Sequence, residues 1–596
     1  MNKLDILKSY FGHSRFRENQ EAIIDAILDG KDALMLLPTG GGKSLCYQLP
    51  ALMKSGVAIV ISPLLALMHD QVLALQSANI KAKMLSSMQS LQEAKEIEQE
   101  LLEGKIKLLY VAPERLLNEY FFAFLHRINI SFFVVDEAHC LSQWGHEFRE
   151  QYRLLYRLRE SFANIPIAAF TATATPLVQS DILQTLQLKE PKIVKGIAFR
   201  DNLFIETKYR VGDGKAQLVE FLQKQNGSSG IVYAFSRKAC EKLAEYLNSQ
   251  GFKAKAFHAG LESELKKQIF KEFLDDDIEI VVATIAFGMG IDKSNIRFVV
   301  HTSLPKSIEG YYQEIGRAGR DGLKAKVLLL YAVQDLAQQR GFIDELQDSS
   351  YKQSAIDKLN QMYRYASSSI CRHKMIAKYF SDNIDSCKTW CDNCLNPARD
   401  KVDITKEAQM LLSAIYRTKQ GYGIHYVVDI LRGSRAKNIV ANRDNELSVY
   451  GIGKDLTKEQ WLTISDRLLE IDALYIGEFR VYKLKALAQE ILKGKKEVDI
   501  DKARLQIKKS KRVKTTENKP LKFEDKVFEA LRELRKEIAK KENIPPYIIF
   551  SDKTLKELSS ALPTTKEQML NVHGVGEVKF QRYGKEFLEK LAKFTL

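Results

Sequence analysis

The stretch LMLLPTGGGKSLCYQLP sets Thr39, Gly40, Gly41, Gly42, Lys43 and Ser44 between an apolar run and a helical pattern. Glycines there let backbone N–H groups close on phosphate oxygens, Lys43 can reach the β and γ phosphates, and the Ser44 hydroxyl can ligate magnesium. A full phosphate-loop pattern asks for glycine five places before Gly42, where this chain has Leu37. A second centre, FFVVDEAHC, ends an apolar run in two adjacent carboxylates. Asp136 is placed to hold the magnesium and Glu137 to orient and activate an attacking water. Hydrolysis also needs positive charge beyond the γ-phosphate, and YYQEIGRAGRDG offers Gln313, Arg317 and Arg320. The spacing predicts that the two arginines share a face of one helical turn. An arginine finger is worth roughly 10³ to 10⁵ in rate, whereas two solvated helix arginines would contribute nothing. ATP with Mg²⁺ is the chemistry these residues point to.

Seven residues after Glu137 comes Trp144, followed by His146, Phe148 and Arg149. An aromatic ring there can stack on an exposed base for roughly 1–3 kcal/mol, and an arginine can meet a phosphate. Farther on, CRHKMIAKYFSDNIDSCKTWCDNC gathers Cys371, Cys387, Cys391 and Cys394, four of the seven cysteines. One cysteine on a helix and three in a tight knuckle suit a tetrahedral Zn²⁺–thiolate site with no open position, the alternative being free thiols.

These groups need a scaffold. From residue 30 to about 335, short β-branched runs alternate with helical patterns, as in GVAIVISP, KLLYVAPE, IAAFTAT, GIVYAFS and RFVVHTS. That rhythm predicts parallel sheets with crossover helices. IAFRDNLFIETKYRVGDGKAQ breaks it, which predicts two α/β lobes joined near 200–212. At 596 residues the chain exceeds a single core, and its net charge of +15 favours a polyanionic partner. The N-terminus has no apolar core of signal-peptide length and no stretch reaches membrane-spanning length, so a cytoplasmic, membrane-free protein is expected.

The order FRENQ, TGGGKS, ISPLLALMHDQV, DEAHCLSQWGHEFR, FTATAT, IVYAFSR, FHAGL, VVATIAFGMGID, YYQEIGRAGRDG resembles the RecQ helicases of superfamily two over nearly the whole chain. The resemblance implies an ATP-dependent 3′-to-5′ DNA helicase acting in recombination and repair. In the motif before the phosphate loop, Phe16 and Arg17 would join the nucleotide site, and Gln20 would read the adenine edge. Trp144, His146, Phe148 and Arg149 match the family's aromatic-rich loop, which couples DNA contact to hydrolysis. Relatives often carry proline where this chain has Glu150, and two residues where it has three between Cys387 and Cys391.

The implied fold class is multidomain α/β with two RecA-like parallel-sheet lobes at 1–204 and 205–338. A helical zinc-binding segment (339–402) and a winged-helix domain (403–490) follow. A basic linker (491–521) leads to a small all-α domain (522–596) resembling the helicase and RNase D C-terminal domain. Arg432, Arg435 and Lys437 are expected phosphate contacts of the winged helix or, alternatively, a solvated face. Gly574 and Gly576 would allow a tight turn whose N–H groups face a phosphate. Expected partners are single-stranded and branched duplex DNA, with single-stranded-DNA-binding protein and recombination factors. The expected state is a nucleoid-associated monomer. An RNA-remodelling ATPase and a DNA scaffold with a vestigial ATPase are the competing readings.

Overall fold

The computed structural model describes residues 2–38, 40–86, 89–142, 149–172, 174–225, 227–285, 287, 293–345, 349–396, 401–477, 481–505 and 523–594. The first sheet contains β1 (Ala33–Leu36), β2 (Val57–Ile61), β3 (Ala82–Leu85), β4 (Leu108–Val111), β5 (Ile130–Val135), β6 (Ile167–Thr171) and β7 (Lys192–Lys195). Its order is β3-β4-β2-β5-β6-β1-β7, with every pairing parallel. The strands β1, β2, β4, β5 and β6 are buried along their whole length and almost entirely apolar, because helices cover both faces. Leu34 and Leu36 of β1 enter one core layer while Ala33 and Met35 enter the other.

The second sheet contains β8 (Leu203–Tyr209), β9 (Gly230–Tyr233), β10 (Ala254–Phe257), β11 (Ile280–Ala283), β12 (Phe298–His301) and β13 (Ala325–Tyr331). It runs β10-β11-β9-β12-β13-β8, again all parallel. Ile231 and Val232 of β9 feed its two opposite core layers.

The cysteine segment docks on the β8 edge. The Ile205 N–H donates to the Trp390 carbonyl at 3.1 Å, and the Thr207 N–H donates to Asp392 at 3.2 Å. Beyond it, helices Thr405–Arg417, Ile424–Leu431 and Lys458–Glu470 enclose a core with buried Trp461. A hairpin of β15 (Leu474–Ile476) and β16 (Tyr482–Leu484) forms a wing whose tip, 478–480, lies outside the described residues. The last module is helical, from Phe523–Glu542 to Lys585–Ala592, around its own core.

Three expected boundaries shift. β8 begins at Leu203, so the second lobe starts before 205, and helix Val333–Asp344 runs through the expected break at 338. The winged-helix fold continues past 490: β14 (Lys401–Asp403) pairs antiparallel with β17 (Asp499–Asp501), setting Val402 opposite Ile500. Val498 and Ile500 are buried in that core, so the expected linker from 491 starts inside folded chain. Among the described residues no helix is long and apolar enough to cross a membrane.

Candidate functional site

β1 delivers the chain to the phosphate loop, and helix Lys43–Met53 leaves it. Gly40 and Gly42 both sit at φ 81°, in the left-handed region that glycine adopts at little cost. A Cβ on Gly42 would lie 2.4 Å from the Gln20 amide nitrogen. Gln20 therefore packs on the loop: its amide donates to the Gly42 carbonyl at 3.1 Å and its oxygen accepts the Arg17 N–H at 2.9 Å. The Arg17 guanidinium donates to the Gly40 carbonyl at 2.7 Å, and Phe16 packs half-buried against the lobe core. Lys43 donates to the Leu37 carbonyl at 3.1 Å. Burial lowers its pKa, opposed by Glu137 and Asp136. Ser44 lines the same cleft. Thr39 lies outside the described residues.

Asp136 follows β5, its N–H tied to the Ile61 carbonyl at 2.9 Å. Burial, reinforced by Glu137, pushes its carboxyl up to about 7. A buried, crowded acid pair sharing a cleft with the Ser44 hydroxyl is a hard-oxygen donor set that fits magnesium. Glu137 takes φ 47°, which places it off the strand line beside His139, whose Nδ1 lies 3.3 Å from its Oε2. The same Nδ1 is 3.0 Å from the Thr171 hydroxyl at the end of β6. His139 and Thr171, given no role from sequence, thus join the acid pair to the next strand.

Lobe two brings Gln313, Arg317 and Arg320 into the same cleft of about 440 Å³ as Lys43, Ser44, Asp136 and Glu137. The arginines do not share a helical turn: helix Ile308–Ile315 ends at Gly316, and Gly319 at φ 61° bends the following segment. What fixes that bend is Arg200, donating to the Gly316 and Gly319 carbonyls at 3.0 and 2.6 Å. Asn202 adds a bond to the Gly319 carbonyl at 2.8 Å. Arg200 is pushed down to about 10 by burial. It lies in the segment that breaks the strand–helix rhythm and carries no motif, so spacing could not reveal it. Tyr547, Ile548, Ser551 and Lys579 of the last module also line the cleft.

The sulfurs of Cys371, Cys387, Cys391 and Cys394 lie within 4.8 Å of one another. A zinc tetrahedron with 2.3 Å bonds has edges of roughly 3.8 Å, so the four thiols fit it with little movement. The Cys387 and Lys374 N–H groups donate to the Cys371 sulfur at 3.3 and 3.5 Å. Behind the knuckle, buried Arg372 grips Asp392 at 3.0 and 3.1 Å. This is a closed structural Zn²⁺ site.

Trp144, His146 and Phe148 lie outside the described residues. Arg149 donates to the Pro63 carbonyl at 2.9 Å. Arg432, Arg435 and Lys437 are exposed near the turn between helices Ile424–Leu431 and Lys437–Ala441. The Gly574 N–H is engaged within the protein, donating to the Gly12 carbonyl at 3.0 Å against the first helix of lobe one.

Five family descriptions match the chain in order. They are DEAD/DEAH box helicase (17–181), helicase conserved C-terminal domain (214–322), RecQ zinc-binding (333–395), RQC domain (398–509) and HRDC domain (524–591). The ATP-dependent DNA helicase RecQ of Haemophilus influenzae is 42% identical over 590 residues, covering 98% of this chain and 95% of the relative. The Bacillus subtilis protein of the same name is 39% identical over 595 residues, 99% of this chain and 98% of its own. Among solved structures, the Mycobacterium smegmatis helicase Lhr bound to ssDNA and AMP-PNP aligns with TM-score 0.47 at 17% identity, over 80% of this chain and 60% of that one. That likeness is too distant to add to what the two sheets establish. With near-complete coverage at such identity and all five matches in sequence, this chain belongs to the RecQ family of helicases.

Proposed function

We propose that the chain hydrolyses ATP to move 3′ to 5′ along single-stranded DNA and to separate duplex or branched DNA during recombination and repair. The observation that carries this reading is the shared cleft, where the phosphate loop and acid pair of lobe one face Gln313, Arg317 and Arg320 of lobe two. Hydrolysis sites assembled from two bodies tie chemistry to relative motion, which a translocating motor requires.

Backbone N–H groups of the loop and Lys43 bind and orient the phosphates, and Glu137 orients the attacking water. Arg317 and Arg320 neutralise charge developing on the transferred phosphoryl group. Ser44 and Asp136 would hold magnesium, which supplies further charge neutralisation when bound. Glu137 and Trp144 are seven residues apart on one backbone, so seating the aromatic loop on DNA repositions the catalytic acid. Opening each base-pair step costs about 1.4 kcal/mol on average, so sustained unwinding needs the coupled fuel. The winged helix, through Arg432, Arg435 and Lys437, holds the duplex ahead. A cytoplasmic, nucleoid-associated monomer working with single-stranded-DNA-binding protein and recombination factors completes the reading.

Phosphate release measured with and without single-stranded DNA tests it, together with unwinding of 3′-tailed and 5′-tailed duplexes under ATP and magnesium. Expected are DNA-stimulated turnover and unwinding of the 3′-tailed substrate. Turnover indifferent to DNA would refute the coupling.

A further inference from the structure

The C-terminal helical module lies across the mouth of the nucleotide cleft and is tied to both lobes. On lobe one, Arg582 donates to the Ser77 carbonyl at 3.0 Å, and the His13 and His573 rings meet at 4.8 Å. The glycine turn fits there without slack: a Cβ on Gly576 would stand 2.8 Å from the Ser9 carbonyl oxygen. On lobe two, Lys536 pairs with Asp277 at 2.7 Å, and Lys271 donates to Asn543 at 2.9 Å. Between these anchors, a π-helical turn at Phe580–Gly584 follows Lys579, whose ammonium donates to the Ile548 carbonyl at 2.6 Å inside the cleft wall. Such one-turn π segments are rare and occur often at functional sites.

Lobes that grip and release nucleotide must move relative to each other, and a rigid module bonded to both cannot follow two bodies at once. We propose that this module is an intramolecular clamp on the nucleotide cleft, which holds the lobes in one relation and suppresses ATP turnover until DNA displaces it. This rests on the reading of the cleft as an ATPase. Its cations explain the release: Lys536 and Arg532 face Asp277 and Asp276 of lobe two, carboxylates that a phosphate backbone can replace. Docked and released states then differ in lobe freedom, which is what the hydrolysis cycle consumes.

The test uses the full chain with Lys536→Glu, Asp277→Lys, both together, and Arg582→Glu on the lobe-one side. The Lys536 and Asp277 side chains are both exposed and outside the nucleotide machinery, so the fold survives their exchange. Each single change should raise DNA-free turnover about threefold to fivefold, the range an exposed ion pair can shift an equilibrium. The doubly swapped chain should return towards the parent rate, and saturating single-stranded DNA should bring all of them together. Small-angle scattering of the same proteins should show a larger radius of gyration for the single variants. Scattering reads docking even where no ATP is hydrolysed, so failure of the clamp and failure of the ATPase reading separate. Unchanged turnover and unchanged radius in Lys536→Glu and Arg582→Glu would overturn the proposal, as would a double swap no closer to parent than either single change.

Discussion

Lys43 is half-buried and held on the Leu37 carbonyl at 3.1 Å, beside the Asp136 and Glu137 carboxylates. Lys43→Ala should therefore lower phosphate release by about 10²–10³, the cost of losing one preorganised charge donor, while fluorescence anisotropy finds DNA binding nearly unchanged. Arg200 acts through other groups. Its two bonds to the Gly316 and Gly319 carbonyls hold the bend that carries Arg317 and Arg320. Arg200→Ala should cut kcat about tenfold to a hundredfold with little change in the KM for ATP, because it disturbs positioning and not ground-state binding. Lysine should not rescue it, since one ammonium cannot span both carbonyls. The contrast shows what was legible at this scale. Lys43, Asp136 and Glu137 sit in short strings whose chemistry demands those types, so the strings announce them. Arg200 acts through contacts between distant segments, and no local pattern marks it; His139 and Thr171 sit inside the DEAHC and FTATAT strings, but the contact that joins them is readable from neither string alone. Gln20 was legible as part of the site, while its bond to Gly42 was not.

At the scale of elements, alternating apolar runs predicted two parallel sheets because only strands covered on both faces stay apolar throughout. Boundaries were less readable: β14 and β17 pair across nearly a hundred residues, and nothing near residue 490 tells the chain to continue its fold. The cysteine spacing announced zinc, but not that its segment extends the β8 edge through Ile205, Thr207 and Asp392. That docking gives a separate prediction. Cys391→Ser removes one ligand, so metal analysis should fall below one zinc per chain and the thermal transition should drop, while DNA-free ATP hydrolysis persists. Arg372→Ala keeps all four thiols yet leaves Asp392 buried without its bidentate partner. It should cost about 3–5 kcal/mol in denaturant unfolding of the zinc segment. A cost similar to that of a surface arginine would mean the pair is dispensable.

The whole molecule adds a coupling that neither residues nor elements contain, because among the contacts between lobe one and the C-terminal module are two titratable rings, His13 and His573. Burial, then His573, Arg17, Lys579 and Lys553, push His13 down to about 4. His573 is also lowered, chiefly by burial and Lys553, with Glu557 opposing. When the module leaves, both rings regain water and return towards about 6.5. The released state then binds more protons than the docked state between those values, so docking is strongest above pH 6.5 and weakens as pH falls through the window. The slope is at most about tenfold in the docking equilibrium per pH unit for each ring. Lys579, pushed down to about 8 by burial, is charged in both states below that pH and adds no slope there. Scattering between pH 7.5 and 5.5 should show the radius of gyration rising as the solution acidifies. His13→Gln should reduce that dependence to the His573 share, since an amide keeps polar shape without taking up a proton. A radius that stays constant in the parent would show that the histidine contact is not part of the docking equilibrium.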